Sequence, residues 1–323
     1  MAEKERRALR IAVLVPCRDE AQAIAQVVAD FRAQLPGAQV HVFDNGSRDD
    51  SYAIAQAAGA QVHRVALPGK GNVVRRAFAD IEADVYVMVD GDDTYDAKAA
   101  PALVARLLDE ELDMVVGARV EEEEKNPAVY RPGHRLGNRL LTSALVLLFG
   151  SGFDDLLSGY RVFSRRYVKS FPAHASGFEI ETELAVHALQ LRMPVAEMNT
   201  AYGARPEGSA SKLRTYRDGW RILMTILRLF KTERPLLFFS LGGALALLLG
   251  LILATPLAVT YLQTGLVPRL PTAVLCVALV LLGALSGLCG LVLDTVTRGR
   301  IEAKHMAYLA VPRFEANSKP RHD

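Results

Sequence analysis

"VYVMVDGDDTYD", Val85 to Asp96, runs from β-branched and apolar residues directly into Asp90, Asp92, Asp93 and Asp96. The first half has the composition of a buried strand. The second half cannot be buried with it, because carboxylates repel one another and each is costly to take out of water unpaired. Either water solvates them at a strand end, or a cation sits among them.

Outward from this stretch, residues 11–118 alternate between strand and helix signals. "IAVLVP" (Ile11–Pro16) is a continuous apolar run, and "EAQAIAQVVADFRAQL" then sets Ile24, Val27, Val28, Phe31 and Leu35 at helical spacing. "QVHVFD" predicts a second strand, followed by the turn "NGSRDD" and a small alanine-rich helix to Ala58. "QVHRV" predicts a third strand and "KGNVVRRAFADI" a helix. "VYVMVD" is a fourth strand, "AAPALVARLLDEE" a helix with Pro101 near its first turn, and "MVVGAR" a fifth strand. This alternation argues for an α/β fold with a mainly parallel sheet. Ligands of such sheets bind beyond the carboxyl ends of the strands. The polar clusters "CRDE", "DNGSRDD" and "DGDDTYD" all fall at those ends.

Beyond Arg119 the pattern loosens. "VEEEEKN" reads as a solvated acidic loop, and "RLGNRLLTSALVLLFG" (Arg135–Gly150) as a helix too short to span a bilayer. "YRDGWRILMTILRLF" carries Arg217, Arg221, Thr225 and Arg228 on one stripe, the pattern of a basic amphipathic helix lying in the headgroup plane. No charged residue occurs from Leu236 to Leu262 or from Leu270 to Leu293. Roughly 20 apolar residues cross the hydrocarbon core of a membrane, so the two stretches predict a transmembrane hairpin around the turn "QTGLVPR". Arg221, Arg228, Lys231 and Arg234 precede it, and Arg298, Arg300 and Lys304 follow it. Basic residues concentrate on the cytoplasmic side, so an integral membrane protein with cytoplasmic termini is expected. The expected organisation is a cytoplasmic catalytic domain over residues 1–215, a juxtamembrane helix over 216–234, a hairpin over 235–296 and a cytoplasmic tail over 297–323. Adjacent glycines in the first span would suit helix association, hence a homo-oligomer.

The formal net charge of +2 is too small to indicate a nucleic-acid partner. The cysteines Cys17, Cys276 and Cys289 form neither a disulfide framework nor a CxxC metal pattern. Asp90-Gly91-Asp92 is the candidate metal site, since Mg²⁺ takes one or two carboxylates together with substrate phosphates. The glycine between the acids would let a diphosphate approach the backbone. An exposed acidic turn is the plainer reading of the same three residues.

In this order, the motifs resemble those of the family-2 glycosyltransferases, whose GT-A fold binds nucleotide sugars. "VLVPCRDE", "FDNGSRDD", "LPGKGNVVR" and "VDGDD" look like successive signatures of that family, over roughly Ile11 to Leu213. "SGYRVFSRR" and "RPEGSASKL" resemble the dolichol-phosphate mannose synthase and polyprenyl-phosphate glycosyltransferase branch, the second with one residue more than the branch pattern. The Q-x-x-R-W signature of processive polysaccharide synthases is absent from the sequence.

The resemblance implies roles. Pro16, Arg18, Glu20, Asp44, Asn45, Lys70 and Gly91 would line the nucleotide-sugar pocket together with Asp90 and Asp92. Both aspartates would face Mg²⁺ or Mn²⁺, Asp92 more directly. The metal-side glutamine of the family corresponds to Thr94, so Asp93 or water would complete the shell. Arg119, Arg131, Arg135, Arg205, Ser209, Ser211 and Lys212 would hold acceptor and diphosphate groups. Glu183 resembles a family glutamate near acceptor or sugar, with Glu181 a second candidate. Glu179, Glu181 and Glu183 share a face if "GFEIETE" is extended, and only Glu179 and Glu183 do if it is helical.

The expected activity is inverting transfer of a hexose from a nucleoside-diphosphate sugar to an undecaprenyl or dolichyl phosphate in the bilayer. UDP-glucose or UDP-N-acetylglucosamine is favoured as donor, then GDP-mannose. The alternatives are a membrane-tethered transferase acting on a saccharide or lipid-linked sugar, which would require a general base, and a catalytically silent membrane scaffold.

Overall fold

The computed structural model describes residues 8–121, 142–143, 145–149, 153–177, 179–203 and 215–312. They fall into two compact units, one comprising residues up to Gly219 together with those from Lys304, the other Trp220–Ala303.

The first unit is built on a seven-stranded sheet of β1 (Ile11–Cys17), β2 (Gln39–Asp44), β3 (Gln61–Arg64), β4 (Val85–Met88), β5 (Met114–Glu121), β6 (Arg161–Ser164) and β7 (Val195–Tyr202). Their order is β3-β2-β1-β4-β6-β5-β7. All pairings are parallel except those of β6, which runs antiparallel to both β4 and β5. The chain passes from β1 to β2 on one side, and β4 lies against β1 on the other. That reversal of strand order opens a crevice beyond the carboxyl ends of β1 and β4.

The helices α1 (Ile24–Gln34), α2 (Ser51–Ala57), α3 (Lys70–Asp80), α4 (Ala100–Asp109), α5 (Arg165–Ser170) and α6 (Ile180–Gln190) connect the strands. Strands covered on both faces need continuous apolar runs, and Ala12 to Val15 and Val85 to Val89 are almost wholly buried. On α1 the i, i+3, i+4, i+7 set Ile24, Val27, Val28 and Phe31 is buried, with Phe31 edge-on to Tyr160 at 5.9 Å between ring centres. Phe78 of α3 likewise meets Phe163 and Phe171 edge-on, at 5.6 and 5.9 Å. Truncating Phe78 to alanine removes that packing and should cost about 3 kcal/mol or more.

Arg161 on β6 is completely buried, and its guanidinium donates to the main-chain oxygens of Leu156 and Ser158. It thereby fixes the segment before β6, which borders the crevice. The C-terminal residues of this unit also pack on it: Tyr308 OH donates to Asp113 Oδ2 at 2.8 Å, and Arg166 Nε to Val311 O at 2.8 Å.

The second unit contains most of α7 (Thr215–Glu233), α8 (Pro235–Thr264) and most of α9 (Leu270–Leu309). α8 and α9 are long and apolar enough to cross a membrane, with mean hydropathy 2.5 and only 11% and 17% burial over their most apolar windows. Leucines such as Leu245, Leu251 and Leu285 point outward. The two helices meet through small residues: Gly243 faces the Gly283 carbonyl, Gly250 packs on Leu279 and Cys276, and Gly290 on Leu236 and Phe239. The seven-residue spacing of Gly243/Gly250 and of Cys276/Gly283/Gly290 keeps these positions on one stripe, where close backbone approach is possible. Of the adjacent glycines expected to promote association, Gly243 thus serves inside the hairpin. Ser286 Oγ adds a hydrogen bond to Phe239 O at 2.9 Å.

Candidate active site

The loops after β1 and β2 are laced together. Asp19, at φ 54°, accepts from Arg48 N at 2.7 Å and donates its own N–H to Ser47 Oγ at 3.0 Å. Glu20 N donates to Ser51 Oγ and Ala21 N to Asp49 Oδ2, at 2.8 and 3.1 Å. Asp44 is buried at the end of β2 and accepts from Ser47 N at 3.2 Å. Cys17 lies beneath these acids, and burial, reinforced by Asp44, Glu20 and Asp49, pushes its thiol up to about 12. A thiol so raised stays protonated and is no nucleophile. Arg18 is half-exposed beside Asp19.

Asn45 has a structural task. Its Nδ2 donates to Val65 O and Leu67 O at 3.1 and 2.7 Å, while its Oδ1 accepts from Gly69 N at 2.6 Å. The side chain thus anchors the loop that leads to Lys70.

Lys70 opens α3, and its side chain is only 10% exposed. Its ammonium lies 2.5 Å from Asp90 Oδ1 and 2.6 Å from Glu181 Oε1. Burial alone would depress this lysine, but the two carboxylates outweigh it and hold it well above its ordinary value. Glu181 is buried, and its Oε2 has no hydrogen-bond partner among the described residues. The segment 180–190 is helical, so of the two conformations left open by the sequence the structure takes the helix. Residues two apart on a helix point about 200° away from each other. Glu181 accordingly faces Lys70, whereas Glu183 accepts from His174 N and Ala175 N at 2.9 and 2.7 Å.

Asp92 is buried and accepts from Thr94 Oγ1 at 2.6 Å through Oδ1. Thr94 therefore orients the carboxylate that the sequence marked for a metal. Asp93, at φ 58°, has its carboxyl raised, chiefly by burial and then by Asp30 and Asp92. Gly91 packs against β1, where a β-carbon would come within 3.3 Å of Pro16 O and 3.4 Å of Val15 and Ile24. The close approach at Gly91 is thus to a neighbouring strand, which explains the glycine without a diphosphate. The glycine that makes room at the acidic turn is Gly159, where a β-carbon would collide with the Asp90 carboxylate. Gly159 N also donates to Tyr95 OH at 2.8 Å. Neither contact is readable from the sequence, because Gly159 lies 69 positions beyond Asp90.

On β5, Arg119 is clasped by Asp155. Its Nε and Nη2 donate to the two carboxylate oxygens at 2.6 and 2.8 Å, and its main-chain N–H adds a third bond at 3.1 Å. The guanidinium also lies 5.4 Å from the centre of the Tyr202 ring. Glu197 holds the Asp155 segment by accepting from Asp154 N and Asp155 N at 2.7 and 3.1 Å. Asp155, Tyr202 and Glu197 were not singled out by the sequence, since Asp155 precedes β6 and the other two lie on β7, all far along the chain from Arg119. Arg131, Arg135, Arg205, Ser209, Ser211 and Lys212 lie outside the described residues.

The crevice thus combines laced polar loops, an acidic turn, a largely buried lysine and a clamped arginine at the carboxyl ends of parallel strands. The family model for glycosyl transferase family 2 matches residues 12–171. Glycosyltransferase AglJ of Haloferax volcanii is 37% identical over 245 residues, covering 76% of this chain and 80% of its own. The dolichyl-phosphate hexose transferase of the same organism is 27% identical, over 69% of this chain and 95% of its own. Among solved structures, glucosyl-3-phosphoglycerate synthase from Mycobacterium tuberculosis, in complex with Mn²⁺, UDP-glucose and phosphoglyceric acid, superposes with a TM-score of 0.56 at 25% identity. The match covers 69% of this chain and 79% of that one. Fold, strand-end site and sequence relationship agree: this chain belongs to glycosyltransferase family 2.

Proposed function

We propose that this glycosyltransferase moves a hexose from a nucleoside-diphosphate sugar to the phosphate of a polyprenyl phosphate held in the membrane. The observation that carries the reading is that both candidate bases are engaged, Glu181 through one of its oxygens and Glu183 through both, in a chain with a bilayer-length hairpin. Glu181 is paired with Lys70, and Glu183 is spent on two main-chain amides. A sugar hydroxyl needs a base to become a good nucleophile, whereas a phosphate oxygen is already anionic at neutral pH. The dolichyl-phosphate hexose transferase among the relatives supports the same acceptor class.

The donor site is read from the loops after β1, β2 and β4. Pro16, Arg18, Glu20 and Asp44 border the nucleoside, and Lys70 meets the diphosphate. Asp90 and Asp92 suit Mg²⁺ or Mn²⁺. No three potential ligands of the His, Cys, Asp and Glu types cluster among the described residues, so the remaining ligands would be diphosphate and water, the usual arrangement for Mg²⁺. When bound, such an ion supplies Lewis-acid neutralisation of the departing nucleoside diphosphate. Lys70 adds its own positive charge there. Glu181 offers Oε2 to a hydroxyl of the transferred hexose. Arg119, oriented by Asp155, presents its guanidinium to the acceptor phosphate.

In the reaction, a phosphate oxygen of the lipid attacks the anomeric carbon from the face opposite the leaving group. The bond from that carbon to the diphosphate breaks, and its electron pair leaves with the nucleotide, so the configuration inverts. α8 and α9 would anchor the catalytic unit with both termini in the cytoplasm, as the basic flanks indicate.

The test incubates the full chain in detergent with undecaprenyl phosphate, Mn²⁺ and a panel of radiolabelled UDP- and GDP-sugars, beside Asp92→Ala. The expected result is label in an organic-extractable lipid that disappears on chelation and falls at least 100-fold in the variant. Binding of a sugar nucleotide with no lipid ever labelled would sink the acceptor assignment.

A further inference from the structure

Glu183 looks idle beside Glu181, yet its two hydrogen bonds lead back to the active site. His174 and Ala175, which it holds, belong to a short strap between α5 and α6. Arg75 of α3 grips the same strap from the other end, donating from Nε to Ala173 O at 2.8 Å and from Nη2 to His174 O at 3.4 Å. Ala173 sits at φ 45°, a left-handed conformation that an alanine keeps only where its surroundings impose it.

The strap lies directly on the turn Gly69-Lys70-Gly71. A β-carbon at Gly69 would collide with Ser176 O, and one at Gly71 with Ala175 O. Asn45 Oδ1 also accepts the Gly69 N–H. The turn is therefore held both by the strap and by Asn45, and Lys70 leaves it to reach Asp90 and Glu181. Both glycines are explained by this contact: each leaves room for a carbonyl of the strap.

We propose that Glu183 is a positioning residue, which holds the strap on the glycine turn and so sets where Lys70 meets the donor diphosphate. The assignment rests on Lys70 serving the donor as argued above. It gives the two glutamates separate tasks: Glu181 touches the lysine directly, and Glu183 acts on it through the backbone. Loss of Glu183 should then disturb donor binding and leave the chemical step nearly intact.

The experiment measures UDP and GDP binding to the full chain in detergent with Mn²⁺, donor steady-state kinetics, and amide hydrogen exchange over residues 69–72. Glu183→Ala is expected to weaken nucleotide binding about tenfold and to raise donor KM similarly, with kcat changed less than about threefold. Exchange at 69–72 should accelerate, because the clasp on the turn is gone. Glu183→Gln keeps one carbonyl acceptor and should recover part of the affinity. Arg75→Ala should act in the same direction, and the double variant should fall short of the product of the single effects, since both residues hold one strap. A roughly 100-fold fall in kcat with unchanged nucleotide affinity would instead make Glu183 an acid–base group and overturn the proposal. Unchanged exchange and affinity would overturn it too. Wild-type protein that binds neither nucleotide defeats the donor reading itself and the donor role of Glu183 with it. Exchange at 69–72 tells that failure apart, since it reports the grip on the turn without any ligand.

Discussion

Lys70 and Arg119 are both largely buried cations beside the same crevice, with side chains 10% and 14% exposed, and they are held in opposite ways. Lys70 shares one positive charge between Asp90 and Glu181, with Asp92 two residues further along the chain. Among the described residues, Arg119 meets the carboxylate of Asp155 through two prongs and its own main-chain N–H. The first arrangement is left with excess negative charge, whereas the second pair is neutral in itself. An ammonium is a compact charge that can be divided among acceptors and redirected, while a guanidinium fork is fixed in plane by one partner. The difference teaches that one centre is built to receive further positive charge, and the other to keep one group in a set orientation.

The comparison breaks most readily at Lys70. Lys70→Ala leaves Asp90 and Glu181 facing one another without a cation, a change of the kind that costs about 3 kcal/mol or more when buried charges lose their partner. Thermal unfolding in detergent should show that loss, and sugar transfer should fall below detection. Adding Glu181→Gln should return much of the stability, because one buried charge is gone, but none of the activity. If Lys70→Ala unfolds like the wild type, the pairing is not what holds this centre together.

A change at the other cation should be milder. Arg119→Lys keeps the charge and loses the fork, so one of the two side-chain bonds to Asp155 goes. The expected cost is about 1 kcal/mol of stability, with KM for the lipid phosphate raised about tenfold and donor KM unaltered. A shift in donor KM instead would mean that the two centres do not divide donor from acceptor.

Much of the framework around these centres is legible in the sequence, and the missing parts have physical reasons. β1, β2 and β4 announce themselves as apolar runs closed by polar clusters, because a strand covered on both faces has nowhere to put a charge. β7 does not, since "VAEMNTAY" lies at the sheet edge and is mostly half-buried, which leaves it polar. β6 lies within "SGYRVFSRR", which resembles an acceptor-side strand of the family branch, but it is only four residues long and inserts antiparallel between β4 and β5, a pairing that no local pattern encodes. Asp90, Asp92 and Lys70 stand at element ends and could be found by motif. Asp155 and Gly159 could not, because what they do depends on residues brought to them by the sheet. The glutamates of "GFEIETE" were ambiguous for a different reason: six or seven residues do not fix whether the chain is extended or helical, and that choice decides which glutamate faces the lysine.

The finest test of the comparison lies at Glu197, which supports the Asp155 segment and therefore Arg119 at one remove. Burial raises the carboxyl of Glu197 above its ordinary value, against the opposing influence of the amides of Asp154 and Asp155. A carboxyl raised on folding binds its proton more readily in the folded chain than in the unfolded one. Its contribution therefore favours folding below the unfolded value and fades as pH rises through the folded value, so at neutral pH the ionised group is a small liability. Glu197→Gln removes that liability, while its one carbonyl oxygen replaces one of two acceptors. The variant should be as stable as the wild type or slightly more so at pH 8. That advantage should shrink as pH falls towards the range where Glu197 itself becomes neutral, and melting curves of both proteins at a series of pH values would show it. Acceptor KM should move less than about threefold, because the Asp155 carboxylate that clasps Arg119 is untouched. A larger rise would mean that the Arg119 centre needs the charge of Glu197, and that its neutrality is only apparent.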